Sequence, residues 1–333
     1  MKNTRAIKYA AVLIILLAVL ACACLLSLCA GSADIPFRDI PGLLFGGGES
    51  IQRNILMDIR LPRLILGILI GGALSLARAL LQGMFRNPLV EPYTLGISGG
   101  ASLGICLNIL FKWDHVLGVI AYPLAGFAGA AAVVLAVYFL SLNAGSLKSN
   151  HLPLTGVMIS FVSSSLIMLI MAIARSDDIH TIVLWTMGSL DVPDMKLVRI
   201  AATGILAGLV ASLFFCLDLN ALALGEEEAA SLGVNVDRTK KWLFVLASLL
   251  TGLSVSVAGI IGFVGLIVPH LMRLVIGPDH RLLLPCSGLA AAGFLTICDT
   301  IARTVIAPTE LPVGVVTAVV GGLTGTDKTY NEL

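Results

Sequence analysis

Uncharged apolar stretches as long as a bilayer is thick recur along this chain, and a helix bundle inside a membrane is the fold they permit. The first, Tyr9 to Ala30, carries no charged side chain. About 20 apolar residues make one helical crossing. On that measure candidate spans fall at about 9–30, 62–84, 93–111, 115–141, 152–174, 197–216, 241–259, 261–277, 282–305 and from about 311 onward. The runs are continuous and lack the two-residue alternation of barrel strands. The expected fold is therefore an all-α membrane protein with about ten transmembrane helices, forming one domain over residues 1–333. Composition agrees: with 58% hydrophobic residues, 12% charged residues and a mean hydropathy of +1.00, the chain cannot hide its apolar surface in a water-soluble globule.

A net charge of +1 without a basic stripe argues against nucleic acid as a partner. The seven cysteines lie almost entirely inside apolar runs, without metal-site spacing or the density of a disulfide scaffold, and read as small buried hydrophobes. Lys2, Arg5 and Lys8 before the first run, and Leu20-Ala21-Cys22 within it, imitate a signal peptide. The run is longer than a signal core and further spans follow, so a retained first span is expected.

With the N-terminus in the cytoplasm, ten spans return the C-terminus there. Segments 31–58 and 175–196 then lie outside, the latter expected as an interfacial helix marked by Trp185 and Pro193. Arg38, Arg53, Arg60, Arg63, Lys196 and Arg199 also fall outside, against the usual bias of basic residues, and need their own explanation. Spans two to five and seven to ten start on opposite faces, which leaves an inverted repeat open. Gly67 with Gly71, Gly100 with Gly104, and Gly204 with Gly208 have the spacing that lets helix backbones approach.

The polar island at 217–241 is the exception in a greasy chain. It suits two short helices broken at Gly225 and Gly233, with Glu226, Glu227 and Glu228 opening the second. Such a knob faces water and invites a soluble partner; a merely solvated acidic loop is the plainer alternative.

Several segments together carry a family resemblance. They are Arg60-Leu-Pro-Arg63; Gln82-Gly-Met-Phe-Arg86-Asn87-Pro88-Leu89-Val-Glu91-Pro92 running into Leu95-Gly96-Ile-Ser-Gly-Gly100; Gly225-Glu226-Glu227-Glu228-Ala229 with Ser231-Leu232-Gly233; Gly262-Phe-Val-Gly265-Leu-Ile-Val-Pro269-His270; Gly277-Pro278-Asp279-His280-Arg281; and Glu310-Leu-Pro312-Val-Gly314. The chain resembles the FecCD-type permeases of ATP-driven importers for iron chelates, haem and vitamin B12.

That resemblance implies a type II ABC importer permease fold in a prokaryotic cytoplasmic (inner) membrane. It implies a second permease copy, two ATP-binding-cassette subunits that hold the ATP and magnesium, and a soluble substrate-binding protein. No cofactor or metal is expected on this chain, and no catalysis by it. By the same resemblance Gly225, Glu226, Glu227, Glu228, Ala229, Leu232 and Gly233 form the ATPase-coupling element, with acids meeting basic residues of the ATPase and Leu232 seated in an apolar pocket. Arg60, Arg63 and Arg303 would receive glutamates of the binding protein, against the alternative of snorkelling interface anchors. Arg86, Asn87 and Pro88 would form a turn near the inner gate, where Pro88 stops a helix.

Other chemistries are weaker. Gly96-Ile-Ser98-Gly-Gly100 matches a nucleophile elbow or a membrane-protease serine, with His270 or His280 as bases, but the strand-turn-helix context is not expected. His270 beside Pro269 reads as a helix-break residue. Gly322-Leu-Thr-Gly-Thr-Asp327-Lys328-Thr329 imitates a phosphate loop with Asp327 where glycine is needed. An ion-driven transporter would want ionisable residues deep in the spans, and Asp299 with Arg303 is the one close pair.

Two departures from the family stand out. The last span, Leu311 to Leu323, would rise only about 20 Å, which suggests an incomplete or re-entrant helix. Arg78 stands inside the second span, where it is expected to snorkel to the inner interface.

Overall fold

The computed structural model describes residues 2–31, 35–46, 50–87, 90–143, 151–192, 194–307 and 309–329. Among them every regular element is helical. In chain order these are α1 (Lys2–Cys29), α2 (Ile40–Phe45), α3 (Ile51–Asn54), a π turn (Ile55–Arg60), α4 (Leu61–Phe85), α5 (Ile97–Phe111), α6 (Asp114–Leu117), a 3₁₀ turn (Gly118–Ile120) and α7 (Ala121–Asn143). Then follow α8 (His151–Ile173), α9 (Ser176–Thr186), α10 (Met195–Leu213), α11 (Cys216–Leu224), α12 (Glu226–Ser231), α13 (Val236–Ala258), α14 (Val264–Ile276), α15 (His280–Thr304) and α16 (Val313–Thr329).

Seven helical stretches among the described residues are long and apolar enough to cross a membrane, and three shorter apolar helices, α5, α14 and α16, complete the expected ten. Local chemistry sets their ends. Pro62 sits in the first turn of α4, where its missing N–H costs nothing, and Arg86 closes the helix in the left-handed region. Asn235 caps α13 by accepting the Arg238 N–H at 3.1 Å, and Asp279 caps α15 through the Arg281 N–H at 3.0 Å. The short spans are tolerated because the irregular backbone beside them is buried in protein. The Ile261 carbonyl before α14, for example, accepts the Tyr93 hydroxyl at 2.6 Å.

Helix α4 is the axis of the bundle, packed against α10, α13, α14 and α15, with Leu66, Ile70, Leu80 and Leu81 fully buried. Lipid tails are as apolar as leucine, so close contact rather than hydrophobic transfer must hold these helices together. Glycine supplies the closeness: a Cβ on Gly71 would lie 2.5 Å from the Ala291 carbonyl oxygen of α15. Between α5 and α7 the fit is tighter, with a Cβ on Gly104 only 2.1 Å from the Ala125 carbonyl oxygen. Gly104→Val is therefore expected to destabilise the protein by about 3 kcal/mol, the upper end of overpacking penalties. Thermal unfolding in detergent checks this, and parental stability would mean that the two backbones do not touch.

Three expectations are refined. The last helix runs on from Val313 through the glycine pair to Thr329, about 25 Å at the helical rise, while its apolar part ends at Leu323 as expected. Gly321 lies under Phe263, whose Cβ would stand 2.6 Å from a Cβ placed there, while a Cβ on Gly322 would meet nothing within 4 Å. α14 passes unbroken through Pro269, and the irregular backbone comes earlier, at Gly259–Phe263; His270 is exposed on the helix and breaks nothing. The connector expected outside is partly helical, and its π turn ends at Arg60, which reaches back to α1.

Helix α8 is, with α1, the least covered of the long spans among the described residues. Only Gly156, Ser163 and Ile170, seven residues apart, are buried along its described side chains, while Met158, Phe161, Met168 and Leu169 stand open.

Candidate functional site

The island at 217–241 folds as the pattern of its residues requires. α11 stops at Gly225, whose φ of 151° an L-residue rarely adopts, and α12 stops at Gly233 with φ 89°. The Gly233 and Val234 N–H groups donate to Ala230 and Ala229 at 3.0 Å, closing the end of α12. Ala229 is fully buried beneath the knob. Glu227 and Glu228 are exposed, and beside them stand Leu224 and Leu232, each 65% exposed. Two free carboxylates flanked by two open leucines form a surface suited to another protein: charges for register, apolar side chains for grip.

Glu226 differs from its neighbours. It pairs with Lys240 of α13 at 2.5 Å, and Lys240 is 5% exposed. A lysine buried to that degree requires a counter-charge, so Glu226 pins α12 to α13 while 43% of its side chain stays exposed. Sequence reading missed Lys240, because nothing in its polar surroundings marks it as buried.

The three outer arginines are also placed differently from the expectation of outward docking groups. Arg60, Arg63 and Arg303 are 2%, 5% and 5% exposed. Arg60 Nη1 donates to the carbonyls of Leu28 at 2.5 Å and Cys29 at 2.9 Å. Arg63 joins Asp191 at 3.0 Å and Glu310 at 2.7 Å. Arg303 binds Asp299 at 3.0 Å and the Ser27 hydroxyl at 2.9 Å. Buried guanidinium groups must find internal acceptors, and these three tie α1, α4, α15 and two loops together at one end of the bundle. The water-facing charges are the carboxylates, with Asp191 64% and Glu310 46% exposed. Asp299 and Arg303 pair with each other, both within α15.

At the inner turn Arg86 has φ 52° and is exposed together with Asn87, whose carbonyl accepts the Val90 N–H; Pro88 lies outside the described residues. Arg78 does not snorkel. It is 1% exposed and pairs with Glu91 at 2.5 Å, fastening the turn to α4. Tyr93 fastens it to the segment before α14.

The competing chemistries find no frame among the described residues. Ser98 lies 8% exposed in the first turn of α5, after a left-handed Gly96, with no strand before it. Residues 322–329 are helical where a phosphate loop would be looped. No group of three or more His, Cys, Asp or Glu among the described residues could hold a metal ion.

An all-helical bundle of membrane-crossing length, charge-paired at one end and bearing an acidic, leucine-flanked knob, has the build of a polytopic membrane protein. The chain belongs to the FecCD transport family, whose model matches residues 16–324. It is 41% identical over 314 residues to the Fe(3+) dicitrate transport system permease protein FecD of Escherichia coli, covering 94% of this chain and 96% of that one. It is 41% identical over 279 residues to the cobalamin import system permease protein BtuC of Halobacterium salinarum, covering 84% and 74%. Among solved structures it superposes with a TM-score of 0.84 at 28% identity on an inward-facing ABC transporter assigned to the metal-chelate type, over 97% of this chain and 99% of that one.

Proposed function

We propose that this permease forms the membrane pathway of a binding-protein-dependent ABC importer that carries a metal chelate, a ferric siderophore foremost, across the inner membrane of a prokaryote. The knob is the observation that carries the reading: Glu227, Glu228, Leu224 and Leu232 are presented to water on a helix pinned by Glu226 and Lys240. In this reading ATP and magnesium are held by two separate cassette subunits that grip the knobs of two permease copies, and the chain itself carries out no hydrolysis. The open circumference of α8 supports a second copy, since it leaves an apolar helix face for that copy and the pathway between them.

A soluble binding protein delivers the chelate at the outer mouth. Its carboxylates would exchange with Asp191 and Glu310 on Arg63, so that docking disturbs the paired cluster of Arg60, Arg63 and Arg303 from its exposed side. The relatives' names give ferric dicitrate for one and cobalamin for another, each a metal held in an organic cage. Proteoliposomes containing permease, ATPase and binding protein test the substrate class with labelled ferric citrate, a ferric hydroxamate, cyanocobalamin and haem. ATP-dependent accumulation of a ferric chelate is expected; accumulation of none of the four would overturn the reading.

A further inference from the structure

The Gly277-Pro278-Asp279-His280-Arg281 segment helps to mark the family, yet neither the knob nor the outer cluster uses it. It is the turn between α14 and α15, and Asn220 of α11 lies against it. Asn220 Nδ2 donates to Asp279 Oδ1 at 2.7 Å. Asn220 Oδ1 accepts the His280 backbone N–H at 2.9 Å and lies 2.8 Å from His280 Nδ1.

These contacts fix every role. A carboxylate only accepts, so the amide nitrogen faces Asp279; a backbone N–H only donates, so the amide oxygen faces His280, and Nδ1 carries a proton towards it. Burial pushes the Asp279 carboxyl up, but the Asn220 amide and the Arg281 N–H outweigh it and hold the group below the ordinary carboxylate value. His280 is 3% exposed, and its Nε2 is buried without a hydrogen-bond partner among the described residues. Gly83 of α4 makes room for the ring: a Cβ there would lie 3.0 Å from Nε2 and 2.8 Å from Leu219 Cδ2 of α11. Three helices thus meet on one glycine, and a single amide holds two of them together.

The position gives the contact its consequence. Asn220 stands little more than one helical turn before Gly225, where the knob begins. α15 runs from the Asp279 cap for about 36 Å, at the helical rise, to Arg303 in the cluster of paired charges. By chain connectivity alone a push on the knob reaches α10 and α13, because α11 and α12 lie between them.

We propose that Asn220 and the Asp279–His280 turn form a joint that delivers movement of the knob to α15, and through α15 to the paired charges at the outer mouth. The joint rests on the reading of the knob as an ATPase handle. Asn220 touches no substrate; it is a positioning residue that acts through α15.

The test measures chelate imported per ATP hydrolysed, in proteoliposomes holding the full importer, with ferric citrate and cyanocobalamin as probes. Asn220→Asp sets two carboxylates against each other and is expected to lower that ratio about tenfold while hydrolysis continues, the scale of one charged hydrogen bond. Exchanging the pair, Asn220→Asp with Asp279→Asn, again sets one amide against one carboxylate, at the expense of the Arg281 N–H that shares Asp279 Oδ1, and is expected to restore the ratio to within about threefold. Asn220→Ala opens the joint without adding charge and decides the matter if the lone carboxylate prevents insertion. Import and hydrolysis falling in proportion, a ratio unchanged in Asn220→Asp, or an exchanged pair no better than the single variant would each overturn the joint alone. Where the unaltered protein imports neither probe, a ferric hydroxamate and haem replace them, and import of none of the four would overturn the importer reading first, and the joint with it.

Discussion

Glu227→Lys together with Glu228→Lys is expected to lower ATP-driven uptake about a hundredfold without disturbing insertion, since reversing charges at a matched interface costs several kcal/mol. Both side chains are exposed and stand at the tip of a knob whose buried anchor is Ala229, so their replacement removes no internal support. Glu226 serves as the contrast. Its carboxylate neutralises the buried Lys240, so Glu226→Lys is expected to loosen α12 from α13 and reduce the amount of folded protein as well. Uptake of a labelled chelate, normalised to permease in the membrane, separates the two effects. Undiminished uptake by the doubly reversed variant would remove the knob from the mechanism.

Arg303→Leu is expected to destabilise the protein by about 3–5 kcal/mol, the usual penalty for stranding one member of a buried ion pair. Asp299 is 5% exposed and would be left beside an apolar leucine without its paired cation, while the tie from Arg303 to Ser27 of α1 disappears. Arg63 also acts on Asp299 and softens the loss without closing it. Adding Asp299→Leu is expected to recover most of the stability, because a matched apolar pair costs less than a lone buried carboxylate. Thermal unfolding of both variants in detergent reads the difference; equal losses in the single and double variants would show that α1 anchoring, and not the ion pair, carries the effect.

The spans and the knob were legible in the sequence because one-dimensional signals encode them. Apolar length marks a crossing, and Gly225 and Gly233 mark the ends of α12. The glycine spacings were legible too, although their partners were not. The charge pairs could not be read, since Arg63 meets Glu310 across 247 residues of chain. With no pairing visible, the internal partners of Arg60, Arg63 and Arg303 went unseen and Arg78 passed for a snorkelling residue. The last helix was legible only in its apolar part, which ends at Leu323; its polar continuation to Thr329 carries no hydropathy signal.

The knob's grip on a separate motor is tested most directly by a cysteine crosslink. Leu232→Cys places a thiol on an exposed position of the knob that carries no internal contact needed for the fold. With the ATPase subunit bearing cysteines around its own docking cleft, the account predicts a crosslink between the two chains that changes in yield when ATP binds and disappears in the Glu227→Lys, Glu228→Lys background. An importer that accumulates chelate with ATP while Leu232→Cys never crosslinks to the ATPase, at any cleft position, would contradict it.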